Sequence, residues 1–400
     1  MGELKTQLKK DYTVFTGTAD ILVYFYELGL RVLKENGKFS FITSNKFMRA
    51  NYGKPLRNYL WKQNILDIVD FGELPVFDEA ATFPVVVDLE KAENQKSVRF
   101  TQVKTLKFDS LKEVIKETSS LLDASAFEGE SWTLTDSESI AIIAKIKTKG
   151  IPLSEYANAD IKYGLKTGFN EAFIISEDEK NELIQKDANS AEIIVSFAVG
   201  DDIRKYQVRD KNRYLLLMKI GVDIELYPAV FEHLKQYQEQ LEKRWDKGEN
   251  WWELRACAYY GDFENSKIIY PIIAKESRFT LSDETIYTND KAFIIPGRDL
   301  FLLAFLNSKV AWFYLKHICS VLGDADKGGR LELRSIHVQT LPIPEITPEE
   351  QKPFIKLVEE ILALKRAGEA TEQLENEIDE MVFDLYELTE AERDIVKGKE

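Results

Sequence analysis

The feature that most constrains this chain is an alternation of helical and extended apolar periods over its first hundred residues. In "TADILVYFYELGLRVLKENG", Ile21, Leu22, Phe25, Leu28, Val32 and Leu33 recur at helical spacing, with Thr18 as the expected cap and Gly37 just past the end. "KFSFITSN" follows as a short apolar strand, "KPLRNYLWKQN" as a helix with Pro55 near its first turn, and "ILDIVDFG" and "FPVVVDLEKA" as two further strands. Strands alternating with helices predict an α/β sheet covered on both faces. A doubly wound sheet that binds a nucleotide-like cofactor opens with a strand and a Gly-rich turn. This chain opens on the charged "GELKTQLKKD", so a partial Rossmann-like sheet is expected, its beginning missing.

Residues 101–150 read as a polar connector holding one amphipathic helix, "SESIAIIAKIKTKG". From Tyr163 to Pro344, short apolar strands ("AFIIS", "AEIIVSF", "KIIYPII", "AFIIP") mix with helices ("YPAVFEHLKQYQEQLEKRW", "DLFLLAFLNSKVAWFYLKHI"). This predicts a second, mixed α/β domain over 151–344. After the proline-marked linker "LPIPEITPEE", residues 345–400 read as an acidic helical tail. There Phe354, Leu357, Ile361 and Leu364, then Leu374, Ile378, Val382 and Leu385, form stripes that pack on the parent domain or a partner helix.

A length of 400 residues suits two domains with an appendage, and the longest apolar stretches stop well short of a bilayer span. A soluble, unsecreted, cytoplasmic protein without a membrane partner is expected. Two cysteines without CxxC and three histidines without HxH or HExxH exclude a disulfide framework and leave no metal site, and no GxSxG elbow is present. The net charge of −15 looks wrong for a DNA binder until it is located. The last 56 residues hold 17 acidic against 7 basic side chains, so most of the acidity belongs to the tail and a basic face elsewhere is compatible with it.

Several stretches then decide the reading: "GTADILVYFYELGLRVLKENGKFSFITSNKFMRANYGKPLR", "IVDFGELPVFDEAATFPVVV", "YGLKTGFNEAFII", "IIYPIIAKESRFT", "NSKVAWFYLKHICSVLGDADKGGRLELRSIHVQTLPIP" and "IDEMVFDLYELTEAER". Together these resemble, in one order, the TaqI-like adenine-specific DNA methyltransferases of type IIG restriction enzymes and the PglX methylases of BREX phage-defence systems. The resemblance makes residues 1–100 the C-terminal half of a methyltransferase catalytic domain and 151–344 a TaqI-like target-recognition domain. It implies double-stranded DNA as partner and S-adenosylmethionine as the family's cofactor. The family's Gly-containing cofactor loop and Asn/Asp-Pro-Pro-Tyr/Phe motif have no counterpart, for the chain contains no Pro-Pro. No cofactor is therefore expected to bind this chain alone, and the missing methyltransferase segment or subunit is an expected partner. The alternative is a non-catalytic specificity subunit or the relic of a broken gene.

An adenine N6 amine is a poor nucleophile, so methylation needs the base extruded, its amine hydrogens accepted and a sulfonium methyl held in line. By the resemblance, Phe77 in "PVFDEAATFPVVV" matches the aromatic that stacks on the extruded adenine, with Phe83 as second choice. Core or strand-end packing is the plain alternative for Phe77. "SNKFMRANYG" offers Asn45, Lys46, Arg49 and Tyr52 at a strand end, where open α/β sheets place ligands, although a polar strand-to-helix loop fits equally.

DNA readout calls for Arg, Lys, Asn or Gln on loops, with cations and backbone amides on phosphates. Three stretches fit. "KYGLKTGFNEAF" gathers Lys162, Lys166, Thr167 and Asn170 around two glycines, and "GDADKGGRLELR" gathers Lys327, Gly328, Gly329, Arg330 and Arg334. "DDIRKYQVRDKNR" gathers Arg204, Lys205, Arg209, Lys211 and Arg213 as a basic run. In "WWELRACAYY", Trp251, Trp252 and Arg255 are candidates to stack or intercalate near DNA, with core packing the expectation for at least one of the tryptophans. Gly-rich turns and a solvated charge run account for the same residue types without DNA.

Overall fold

The computed structural model describes residues 2–72, 74–77, 83–127, 131–156, 160–322 and 329–398. One unit comprises residues 1–148, 313–332 and 388–400, and the other 149–312 and 333–387.

In the first unit the alternating periods become α1 (Gly2–Asp11), α2 (Leu22–Val32), β1 (Lys38–Ser44), α3 (Lys54–Leu60), β2 (Gln63–Asp70), β3 (Pro84–Glu93), β4 (Ser97–Gln102), α4 (Leu111–Thr118), β5 (Ser120–Asp123) and α5 (Ser137–Thr148). Pro55 sits in the first turn of α3, where a missing N–H costs nothing. The strands form one sheet in the order β1-β3-β2-β4-β5. Because β3 runs antiparallel to β1 and β2 while β2 and β4 are parallel, β1, β2 and β4 all point the same way. Their C-terminal ends, Ser44, Asp70 and Gln102, therefore share one rim. The core holds Tyr26, Phe47, Leu56, Ile68, Val87 and Trp132, so residues beyond 100 belong to the same packed body as the first strands rather than to a bare connector. Burying each such side chain contributes roughly 1.5–3 kcal/mol.

Two expectations are corrected here. The second face of the sheet is covered only in part: Leu111 and Ile115 of α4 pack with Val69, Val86 and Val103 at one end, while Lys38, Ser40 and Ile42 alternate outward on β1 and the Asp67–Arg99 ion pair lies on the exposed side. A sheet with antiparallel neighbours tolerates one wetted face. The helix α2 starts at Leu22, with Thr18 in a preceding turn and the Asp20 carboxylate accepting from the Leu22 N–H at 3.2 Å. Its buried face is turned away from most of that stripe, carrying Leu22, Val23, Tyr26, Glu27 and Leu30. Glu27 turns inward because its carboxylate accepts from the N–H groups of Thr13 (3.2 Å) and Val14 (3.0 Å) and pairs with Arg31, while the Tyr26 hydroxyl bonds Thr43 at 2.9 Å. Of the expected stripe, Leu22 is buried and Leu33 packs against the core, but the other four are left outside: Ile21 is 64% and Val32 75% exposed, with Phe25 and Leu28 exposed between them.

The second unit is mixed α/β. One sheet joins Thr280–Ser282, Lys267–Pro271, Ala292–Pro296 and Lys162–Tyr163, all antiparallel; another joins Tyr287–Thr288, Ile194–Ala198, Arg213–Leu216 and Ile174–Ser176. The apolar run "DLFLLAFLNSKVAWFYLKHI" is two helices, Leu300–Leu306 and Lys309–Ile318. They break at buried Asn307, whose amide pairs with both backbone groups of Phe279, at 3.1 and 2.9 Å. The helix Pro348–Ala367 begins with a Thr347–Glu350 capping box and ends at Gly368 in the left-handed region, and it buries Phe354, Leu357 and Ile361 of the expected stripe. Among the described residues no helix is long and apolar enough to cross a membrane.

Candidate nucleic-acid interface

The rim shared by β1, β2 and β4 opens into a cavity of about 1080 Å³ lined by Asn45, Lys46, Arg49, Asp70, Phe83, Gln102 and Trp132, among others. Carboxyl ends of co-directional strands are where α/β sheets place ligands. The Asn45 backbone N–H donates to the Phe83 carbonyl at 2.8 Å, which fixes the loop after β1 against the start of β3. The Asn45 amide donates to both oxygens of Asp70, at 3.1 and 3.3 Å, and the Gly72 N–H donates to the same carboxylate at 2.9 Å. Gly72 has φ +54°, a conformation that suits glycine and lets the chain turn sharply after β2. Burial pushes the Asp70 carboxyl above its ordinary pKa, opposed by the Gly72 and Asn45 hydrogen bonds and by the Arg49 charge. Burial likewise lowers the Arg49 guanidinium, and one of its arms is fixed on the Cys319 carbonyl at 3.0 Å. His317, bonded through Nδ1 to the Phe313 carbonyl, is pushed down to about 4 by burial.

This rim can therefore hold a planar polar ligand. Exposed Lys46 stands 5.7 Å above the ring of Phe83, so an aromatic face and a cation adjoin at the mouth. Of the two aromatic candidates, Phe83 lines the cavity, whereas Phe77 stands 45% exposed ahead of residues 78–82, which lie outside the described residues. Tyr52 packs half-buried against the core. Asp70, Gly72 and Gln102 were not among the expected site residues; the only local signal for them is the "DFG" turn that ends β2.

The three basic stretches fare differently, two of them in the second unit and the third with Arg330 in the first unit and Arg334 in the second. Lys162 is paired with Asp262 at 2.6 Å, and hydrogen bonding to that carboxylate raises its pKa. Thr167 is buried and donates to Asn170 at 2.6 Å, while Lys166 and Asn170 face solvent. In the basic run, Arg204 turns back on the carbonyls of Asp201 and Ile203, Lys205 pairs with Glu375 at 2.7 Å, and Arg213 pairs with Asp202. Arg209 and Lys211 remain exposed. Trp251 and Trp252 pack half-buried against Phe231, and Arg255 pairs with Asp246 at 3.0 Å. A different tryptophan, Trp245, is fully exposed. Lys327 and Gly328 lie outside the described residues. Gly329 precedes the strand Arg330–Glu332 with Arg330 exposed, and Arg334 is exposed at the cap of the turn Ser335–Val338.

Comparison with known proteins places these pieces. The profile of the Eco57I restriction-modification methylase matches residues 1–77, and that of the TaqI-like C-terminal specificity domain matches residues 195–343. The chain is thus similar to restriction-modification methylases over its first segment and to TaqI-like specificity domains over residues 195–343. Among relatives, the type II methyltransferase M.BstVI of Geobacillus stearothermophilus is 23% identical over 425 residues, covering 99% of this chain and 72% of the relative. M.MjaIV of Methanocaldococcus jannaschii is 27% identical over 239 residues, covering 56% of this chain and 78% of its own length. The restriction enzyme and methyltransferase RM.Eco57I of Escherichia coli is 23% identical over 87% of this chain, which spans 38% of that protein. In fold, the type IIL restriction-modification enzyme MmeI, solved in complex with DNA, matches with a TM-score of 0.63 at 14% identity, covering 100% of this chain and 52% of MmeI.

Proposed function

We propose that this chain recognises a specific site in double-stranded DNA for an adenine-N6 methyltransferase that uses S-adenosylmethionine, within a restriction-modification or phage-defence system. The observation that carries this reading is the pairing, in one chain, of the methylase match that contains the Asn45–Asp70 rim with the specificity-domain match over residues 195–343. The rim supplies an aromatic face for an extruded adenine, Phe77 by the family resemblance and Phe83 by its place in the cavity. Stacking of a base on such a ring contributes roughly 1–3 kcal/mol.

The reading assigns no S-adenosylmethionine site to this chain. Asp70, the carboxylate at the rim, is engaged by Asn45 and Gly72, which leaves it poorly placed to bind a ribose diol, and the chain has no Pro-Pro pair to set the acceptors for an adenine amine. Methyl transfer then requires a polypeptide segment carrying the cofactor loop and the Pro-Pro motif. Support for such a partner comes from the outward stripe Ile21, Phe25, Leu28 and Val32 on α2 and from β1 at the edge of its sheet, an apolar face together with a strand edge that is unpaired among the described residues.

The test uses the purified chain with radiolabelled S-adenosylmethionine and with duplex DNA. Binding to duplex should weaken steeply with salt through counterion release, and Lys166→Ala and Arg330→Ala should each lower affinity and flatten the salt slope by about one unit. Transfer of labelled methyl to DNA by the chain alone would overturn the assignment of the cofactor site elsewhere; an unchanged slope in either variant would overturn the DNA contact at that residue.

A further inference from the structure

Trp245 is 100% exposed, although an indole carries more apolar surface than any other side chain and ordinarily finds cover. The loop that holds it is firmly built. Its neighbour Arg244 is buried, and the guanidinium donates to the carbonyls of Thr167, Trp251 (2.7 Å) and Glu253 (3.0 Å), while Nε reaches Leu241 at 3.3 Å. Its other neighbour, Asp246, is paired with Arg255 at 3.0 Å. Gly168, at φ +73°, fits against both neighbours: a Cβ there would come within 3.0 Å of Arg244 Cδ and 3.2 Å of the Asp246 carbonyl. The turn that bears exposed Lys166 is thus locked to the tip that bears Trp245.

A ring held out by a rigid support, beside an exposed lysine, is arranged to meet a surface that offers both flat apolar faces and negative charge. Nucleic acid offers both, as stacked bases between phosphates. Resting on the DNA-recognition reading above, we propose that Trp245 is a stacking contact to duplex DNA, placed against a base at a locally opened step, with Lys166 on a flanking phosphate. Asp246 does not oppose this, because Arg255 neutralises it, and the Glu253 carboxylate is turned inward on Gly221 and Asn250. The sequence run "RWDKGENWW" hides the distinction, since only packing separates Trp245 from the half-buried Trp251 and Trp252.

The experiment measures binding of the full chain to a fluorescein-labelled pool of random-sequence duplexes across a salt series, for the unaltered chain, Trp245→Ala, Trp245→Phe and Lys166→Ala, with thermal melting of each as a folding control. Trp245→Ala should weaken binding about five- to a hundredfold at every salt concentration with an unchanged salt slope, because the ring carries no charge, and Trp245→Phe should recover most of the loss. DNA should also shield from acrylamide the fraction of tryptophan fluorescence that Trp245→Ala removes. Normal binding by Trp245→Ala while Lys166→Ala is impaired would overturn the stacking role alone. Failure of the unaltered chain to bind duplex would overturn the DNA reading and this role with it.

Discussion

Lys267 opens the strand Lys267–Pro271 with its side chain wholly buried, its ammonium donating to the carbonyls of Asn265 (3.0 Å) and Glu284 (2.7 Å). Burial pushes its pKa down to about 8, with Asp283 and Glu284 opposing the shift. Below that pH the side chain is charged in both folded and unfolded chain, and its burial costs stability. As pH rises through about 8 the native lysine releases its proton while the unfolded one keeps it to about 10.5, so the penalty fades and stability rises across that window. Compared with Lys267→Met, the unaltered protein should gain in melting temperature between pH 8 and 10; a constant difference between the two across that range would contradict the assignment. Residues of this kind are invisible in sequence, where Lys267 reads as an ordinary flanking charge. The rim shows the same split. Asn45 and Phe83 were legible because each flanks an apolar strand, whereas Asp70 and Gln102 join them only through the strand order.

Elements were legible wherever local period and capping agreed, as in α3 with its early proline and in the helix Pro348–Ala367 with its capping box and terminal glycine. They were misread where a distant partner decided. The run from Asp299 to Ile318 keeps a helical apolar period throughout, and nothing local announces the break at Asn307. The break is made by Phe279, whose N–H and carbonyl both pair with the Asn307 amide, 28 residues away. Asn307→Leu should leave the Phe279 N–H buried without a partner, costing about 1–3 kcal/mol, while the carbonyl keeps the Tyr206 N–H at 3.0 Å. A urea denaturation curve should show the lowered midpoint with its slope unchanged, and an unaltered midpoint would mean that the break is set elsewhere. Likewise, α2 has two apolar faces, and period alone could not choose between them. Glu27 chose, by turning inward to serve the Thr13 and Val14 amides.

At the scale of the whole molecule, the α/β class and the order of methylase segment before specificity domain were readable from many separated stretches. The mixed pairing of the first sheet was not, because period 2 carries no strand direction. The chain's acidity, concentrated beyond Glu345, leaves Lys166, Arg209 and Lys211 facing solvent on the second unit. The outward stripe on α2 and the edge of β1, unpaired among the described residues, have a practical consequence for anyone handling this protein by itself. Such a surface is adhesive: two copies can lay strand edge against strand edge and bury the same four side chains against each other. Sedimentation velocity of the purified chain should therefore show a weight-average mass that climbs with concentration, and Phe25→Glu with Val32→Lys should hold it at the 46.1 kDa monomer. If the doubly charged variant climbs equally, the glue lies elsewhere on the molecule.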